Sequence, residues 1–264
     1  MADRTDSVSG RVNAERIVLL GWSRAILLQL AHPLVAAGVA DHSSFRGGPF
    51  AAAARLHHTV RSMLALTFGD QTHRDAALES IRAIHRRVHG SLTARVGRFP
   101  SGTPYSAEDP DLVLWVHATL LDSLPLVYER LVAPLSSHER DRYCAEAAGV
   151  ALALGAREAE VPHTWADLGR YLESVRRSGT IVVGAQAREL ASAVLAPPLA
   201  VFVAPVAWAN RVVSVGLLPP DVREQYGFAW GEAHARTLQR TERAIRGMRR
   251  LLPTSLAWWP EARR

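Results

Sequence analysis

The chain has 264 residues, is 48% hydrophobic and carries a formal net charge of +6 at pH 7, enough apolar material for one sizeable core. All 31 of its basic residues are arginines, scattered among 25 acids, and no helix-turn-helix, zinc-finger or RNA-binding signature accompanies them, which sets nucleic acid aside. The single cysteine, Cys144, excludes internal disulfides, Cys-rich metal clusters and the CxxCH attachment of covalent heme.

The start, MADRTDSVSGRVNAER, is polar and has no apolar core ahead of a cleavage site. Residues 1–14 therefore read as a flexible N-terminus, residues 15–264 as one helical domain, and a cytoplasmic location is expected. Glu15 to Ala31 predicts a helix that Pro33 interrupts, because proline lacks the backbone donor and clashes with the preceding turn. A loop around Gly47-Gly48-Pro49 leads to a helix from Phe50 to Phe68, closed by Gly69-Asp70. Thr72 is the expected N-cap of a helix from Asp75 to Val88 that ends at Gly90.

Gly97 to Asp111 reads as a long connection and Leu112 to Leu131 as a strongly apolar helix. Ser136 or Ser137, with Glu139 in the first turn, starts Arg140 to Gly155, and Thr164 caps Trp165 to Ser178. Shorter helices are expected around Ala185 to Leu195, Phe202 to Val215 and Val222 to Phe228, with a longer one from Gly231 to Leu252. Ile181-Val182-Val183 is the one short strand candidate. The fold class is all-α. The two longest apolar stretches, Ala25 to Ala40 and Ala193 to Ala209, are shorter than the ~20 residues of a membrane span and contain prolines, so no stable span is expected.

Eight histidines, at positions 32, 42, 57, 58, 73, 85, 89 and 117, fall in the N-terminal half. Arg82, His85 and His89 lie at i, i+3 and i+7, on broadly one helix face. Imidazole is a suitable axial ligand for heme iron, and a nearby arginine can pair with a propionate. Spacing alone leaves His85 and His89 equally eligible, and a structural role open to both. Arg55, His58 and Thr59 set a cation, an imidazole and a hydroxyl along another face, which suits either a small pocket or solvent. His32 and His117 sit in apolar sequence, so each must be hydrogen-bonded or bind something; for His117 a backbone carbonyl or Asp122 is an available partner.

Other chemistries fail on spacing. HExxH is absent, the ExxH match from Glu160 to His163 contains Pro162, and the carboxylate set of a di-iron bundle is missing. Zinc lacks a compact ligand set, and nothing fixes His57, His58, Asp70 or Glu79 as a facial triad. Gly-rich phosphate loops and GxSxG are missing as well.

Four ordered segments, LLLQLAHPLVAAGVADHSSFRGGPF, RLHHTVRSMLALTFGD, IRAIHRRVHG and PYSAEDPDLVLWVHATLLDS, together resemble the MpaB-type oxygenase family, which includes the latex-clearing rubber oxygenases. The resemblance covers roughly residues 26 to 143 and continues more loosely to about 252. It implies a helical domain with a buried pocket for heme b, whose iron is held by the histidine of an Arg-x-x-His helix, here Arg82 and His85. The distal Arg-x-x-Lys-Thr pattern of the rubber oxygenases falls on Arg55, His58 and Thr59, a departure because this chain has no lysine. His32, His42 and His117 fall on motif positions where pocket roles are expected. The resemblance implies dioxygen, an apolar or prenyl-chain alkene and a redox partner, with Leu27, Leu28, Leu64 and the Leu195 to Val215 region as tunnel walls. A heme-binding sensor or carrier, with His58 closing a six-coordinate iron, is the alternative.

Overall fold

The computed structural model describes residues 6–42, 49–195 and 204–263, leaving out the side chains of residues 49–56. Thirteen α-helices and three short 3-10 helices occupy these residues, together with one small antiparallel sheet. In chain order the helices are α1 (Val8–Ala14), α2 (Leu19–Leu30), α3 (Pro33–His42), α4 (Pro49–Phe68) and α5 (Gln71–His85). After β1 (His89–Ser91) and β2 (Pro104–Ser106) come α6 (Pro110–Leu131), α7 (Ser137–Ala153), α8 (Trp165–Arg177) and α9 (Ala185–Leu195). The chain closes with α10 (Ala204–Gly216), α11 (Pro220–Gln225), α12 (Glu232–Leu251) and α13 (Thr254–Ala257).

Helix α6 is the axis of the molecule. It starts where Asp109 accepts from the Asp111 N–H and Pro110 supplies a preset φ, and it is apolar nearly all round, so it is buried nearly all round. Alone among the described helices it is long and apolar enough to cross a membrane, yet 72% of that stretch is buried inside the protein. Helix α2 lies against it. At their crossing Gly21 leaves room for the partner backbone: a Cβ there would stand 2.9 Å from the Ser123 carbonyl oxygen. One turn on, the buried Arg24 donates to Ser123 Oγ at 2.6 Å and to the Leu217 carbonyl at 2.8 Å, and pairs with Asp122 at 2.7 Å. A single guanidinium thus joins α2, α6 and the end of α10, with its fork satisfied inside the core.

Pro33 acts as a boundary, but the chain does not leave the helical state there. Proline opens α3, where its missing N–H is no loss, and the chain turns by 108° between the segment ending at Leu30 and α3. Asp70, rather than Thr72, caps α5, accepting from the His73 N–H at 2.9 Å, so the helix begins at Gln71 and stops at His85. His89 consequently sits on β1 and not on a common helix face with His85.

The strands pair His89 with Ser106 and Ser91 with Pro104. Ile181 to Val183 is extended but pairs with no strand; the Val182 N–H caps the Ala31 carbonyl and the Val183 N–H donates to Gln225 Oε1. The capping boxes at Ser136–Glu139 and Thr164–Asp167 form as the sequence indicates. Residues 8–14, expected outside the folded body, form α1, whose Val8 and Val12 pack with Leu121, Tyr143 and Cys144.

The two ends of the described chain meet. Glu15, buried, pairs with Arg249, accepts from Trp258 Nε1 at 2.8 Å, and lies beside the Trp259 N–H bond to the Ala14 carbonyl.

Candidate functional site

Three of the histidines singled out by sequence gather around the first half of α6. His85 occupies the last turn of α5. Three residues earlier, Arg82 donates through Nε and a terminal nitrogen to the Ala153 carbonyl at 3.0 and 2.6 Å. Arg82 thereby ties α5 to the end of α7, whose Ala148 and Ala151 pack against Val113 and Leu114, one turn before His117. His32 sits at the α2–α3 corner, its ring centroid 5.5 Å from that of Phe99, and accepts the Leu34 N–H at Nδ1. Glu108 and Asp111, flanking the start of α6, are the carboxylates that act on His85 and His32 respectively.

All three imidazoles are held neutral, because burial disfavours the charged ring. Desolvation lowers His32 and His117 each to about 4, with Asp111 opposing it at His32, and it lowers His85 against the pull of Glu108. A neutral imidazole keeps a lone pair for a ligand or a donor. His85 is half-buried, and its ring makes no hydrogen bond to any described residue. On α6, His117 Nε2 and Trp115 Nε1 are buried without a hydrogen-bond partner among the described residues. Asp122, the acid available to His117 by spacing, is instead held by Arg24. Trp115 is not among the residues the sequence singles out; its unpaired indole becomes visible only once the fold buries it.

The remaining expected positions are less closely gathered. His58 is exposed and Thr59 half-buried on α4, while the Arg55 side chain lies outside the described residues. His42 donates from Nε2 to the His89 carbonyl at 2.9 Å, next to Tyr105, whose hydroxyl donates to Asp41 at 2.6 Å. Leu27 and Leu28 pack in one cluster with Leu195 and Val215, whereas Leu64 belongs to another with Val60 and Phe68. Residues 196–203, part of the expected tunnel wall, lie outside the described residues.

Among the described residues, His117 Nε2 and Trp115 Nε1 share the lack of a hydrogen-bond partner with Arg11 Nε, Asn13 Oδ1 and Arg16 Nε, and only the first two lie on α6 near His32 and His85. Residues 10–247 match the family described as the ER-bound oxygenase mpaB/B'/rubber oxygenase catalytic domain, and the chain belongs to that family. It is similar to the uncharacterized proteins Mb2261 of Mycobacterium bovis and Rv2237 of Mycobacterium tuberculosis. Each is 26% identical over 234 residues, covering 86% of this chain and 87% of the relative. No solved structure gives a significant match.

Proposed function

We propose that the chain is a heme b-dependent oxygenase that uses dioxygen on an apolar, isoprenoid-type alkene, with His85 as the axial ligand of the iron. Family membership supports an oxygenase reaction on a small molecule. The observation that carries the heme assignment is the state of His85: an imidazole kept neutral by its surroundings, with neither ring nitrogen engaged by a described residue. That donor is chemically suited to ferrous or ferric iron. His117 Nε2 and Trp115 Nε1 are further groups whose burial is offset once a bound molecule meets them.

When bound, heme supplies the oxygen chemistry, while the protein supplies position, polarity and exclusion of water. Arg82, engaged with Ala153, acts by fixing the α5 turn that presents His85. His32 shapes the corner beside Phe99. Arg55, His58 and Thr59 are assigned to the distal side by their place in the family pattern, and an external reductant serves as redox partner.

The test is the absorption spectrum of the full chain purified with heme supplied. A Soret band that is lost or shifted in His85→Ala, and that imidazole added to that variant restores, is the expected result. A chain that binds no heme, or a band indifferent to His85→Ala, removes the assignment. Oxygen uptake with a prenyl alkene then reads the reaction itself.

A further inference from the structure

The outer face of α12 carries a row of arginines. Arg236, Arg240, Arg243 and Arg250 follow one another at i, i+4, i+7 and i+14, a single stripe along the helix. All four are exposed, and Arg240, Arg243 and Arg250 form no ion pair with any described residue. The opposite face is the one that packs, through Leu238, Thr241, Glu242 and Ile245.

Between residues 233 and 260 the chain carries six arginines and one acid, Glu242, and that acid is buried against Arg130. Two exposed acids border it, Glu232, which pairs with Arg236 at 3.2 Å, and Glu261; between them the outward charges are all arginines. At its C-terminal end stand three large apolar side chains with no cover: Met248 is 55% exposed, Leu251 86% and Leu256 58%. Exposed apolar residues of this size, gathered beside cationic ones, mark an interaction surface rather than ordinary solvent-facing helix.

We propose that this face of α12, with Leu256 of α13, docks on an anionic lipid bilayer. A basic stripe flanked by bulky apolar residues is the arrangement with which a helix lies in a membrane interface. The arginines meet lipid phosphates, and Met248, Leu251 and Leu256 enter the boundary between headgroups and acyl chains. Charge complementarity selects the occupant: Arg240, Arg243 and Arg250, exposed and without an ion-pair partner among the described residues, fit a surface of phosphates, while Met248, Leu251 and Leu256 need an apolar layer behind it. The surface goes beyond the oxygenase reading and uses none of the residues assigned to it.

The experiment is co-sedimentation of the full chain with phosphatidylcholine vesicles, with and without phosphatidylglycerol. Binding is expected only to the anionic vesicles, weakening as salt rises. Replacing Arg240, Arg243 and Arg250 by Gln is expected to lower the partition coefficient roughly five-fold per residue, about a hundred-fold for all three. L251S with M248S is expected to weaken binding with the arginines intact. All five positions are exposed, and an unchanged thermal unfolding transition verifies that the variants fold. No sedimentation with anionic vesicles overturns the proposal, as does binding unaffected by the arginine changes. Tight binding to RNA that depends on the arginines but not on Leu251 and Met248 overturns it too, and reassigns the face to nucleic acid.

Discussion

His32 and His117 are buried imidazoles with depressed pKa values, and this has a thermodynamic consequence. Both lie at about 4 in the folded protein, against an ordinary 6.5. Below the ordinary value the unfolded chain takes up protons that the folded chain refuses, so stability is complete above about pH 6.5 and falls as pH drops towards 4. Each ring is expected to remove on the order of 2 kcal/mol between about pH 6.5 and about pH 5. Urea denaturation across that range measures it, and His117→Asn should flatten the profile by roughly half. A wild-type stability that does not change there contradicts the burial of these rings. The apolar sequence around His117 makes its burial legible, but its lack of a partner is not. Asp122 looks available by spacing, and what removes it is Arg24, 98 residues away in the chain.

Among elements, the α2–α6 pair depends on one position most sharply. A Cβ on Gly21 would press on the Ser123 carbonyl at 2.9 Å, on Leu124 at 3.2 Å and on Val127 at 3.3 Å. The first of these is backbone and cannot swing aside. Gly21→Val is expected to cost about 1–3 kcal/mol, read as a lowered denaturation midpoint, because overpacking forces the two helices apart. Equal stability of that variant would show that the crossing is looser than its geometry indicates.

Helices whose signal is long and local were legible. The apolar run of α6 and the Ser136 and Thr164 caps give direct physical cues, and each lies where the pattern puts it. Short elements were not. Strand β2 spans three residues with one buried side chain, Tyr105, too little alternation to register. The β-branched Ile181 to Val183 looks like a strand, yet its amides are taken by Ala31 and Gln225. Asp70 and Thr72 are both good caps, and only the His73 N–H decides between them. For the site, spacing left His85 and His89 equally eligible and the family resemblance chose His85; that α5 stops at His85 and His89 falls on β1 is a separation the spacing did not show.

At the scale of the molecule, the fold is a set of helices around α6 whose first and last described segments are joined by Glu15, Arg249 and Trp258. Glu15→Gln is expected to lose about 2–4 kcal/mol, since Arg249 is left without its counter-charge in a largely buried place. Thermal unfolding of the variant measures it, and an unchanged transition would show the contact to be incidental. The Glu15–Arg249 contact spans 234 positions. Contacts that distant form late, because the intervening chain must be ordered before its ends can meet. A growing polypeptide can collapse α2 on α6 well before Arg249 exists, and until then it carries Glu15 as an uncompensated anion. Completion of the body therefore waits on synthesis of α12, and a chain cut short before it lacks the contact that joins its first segment to its last.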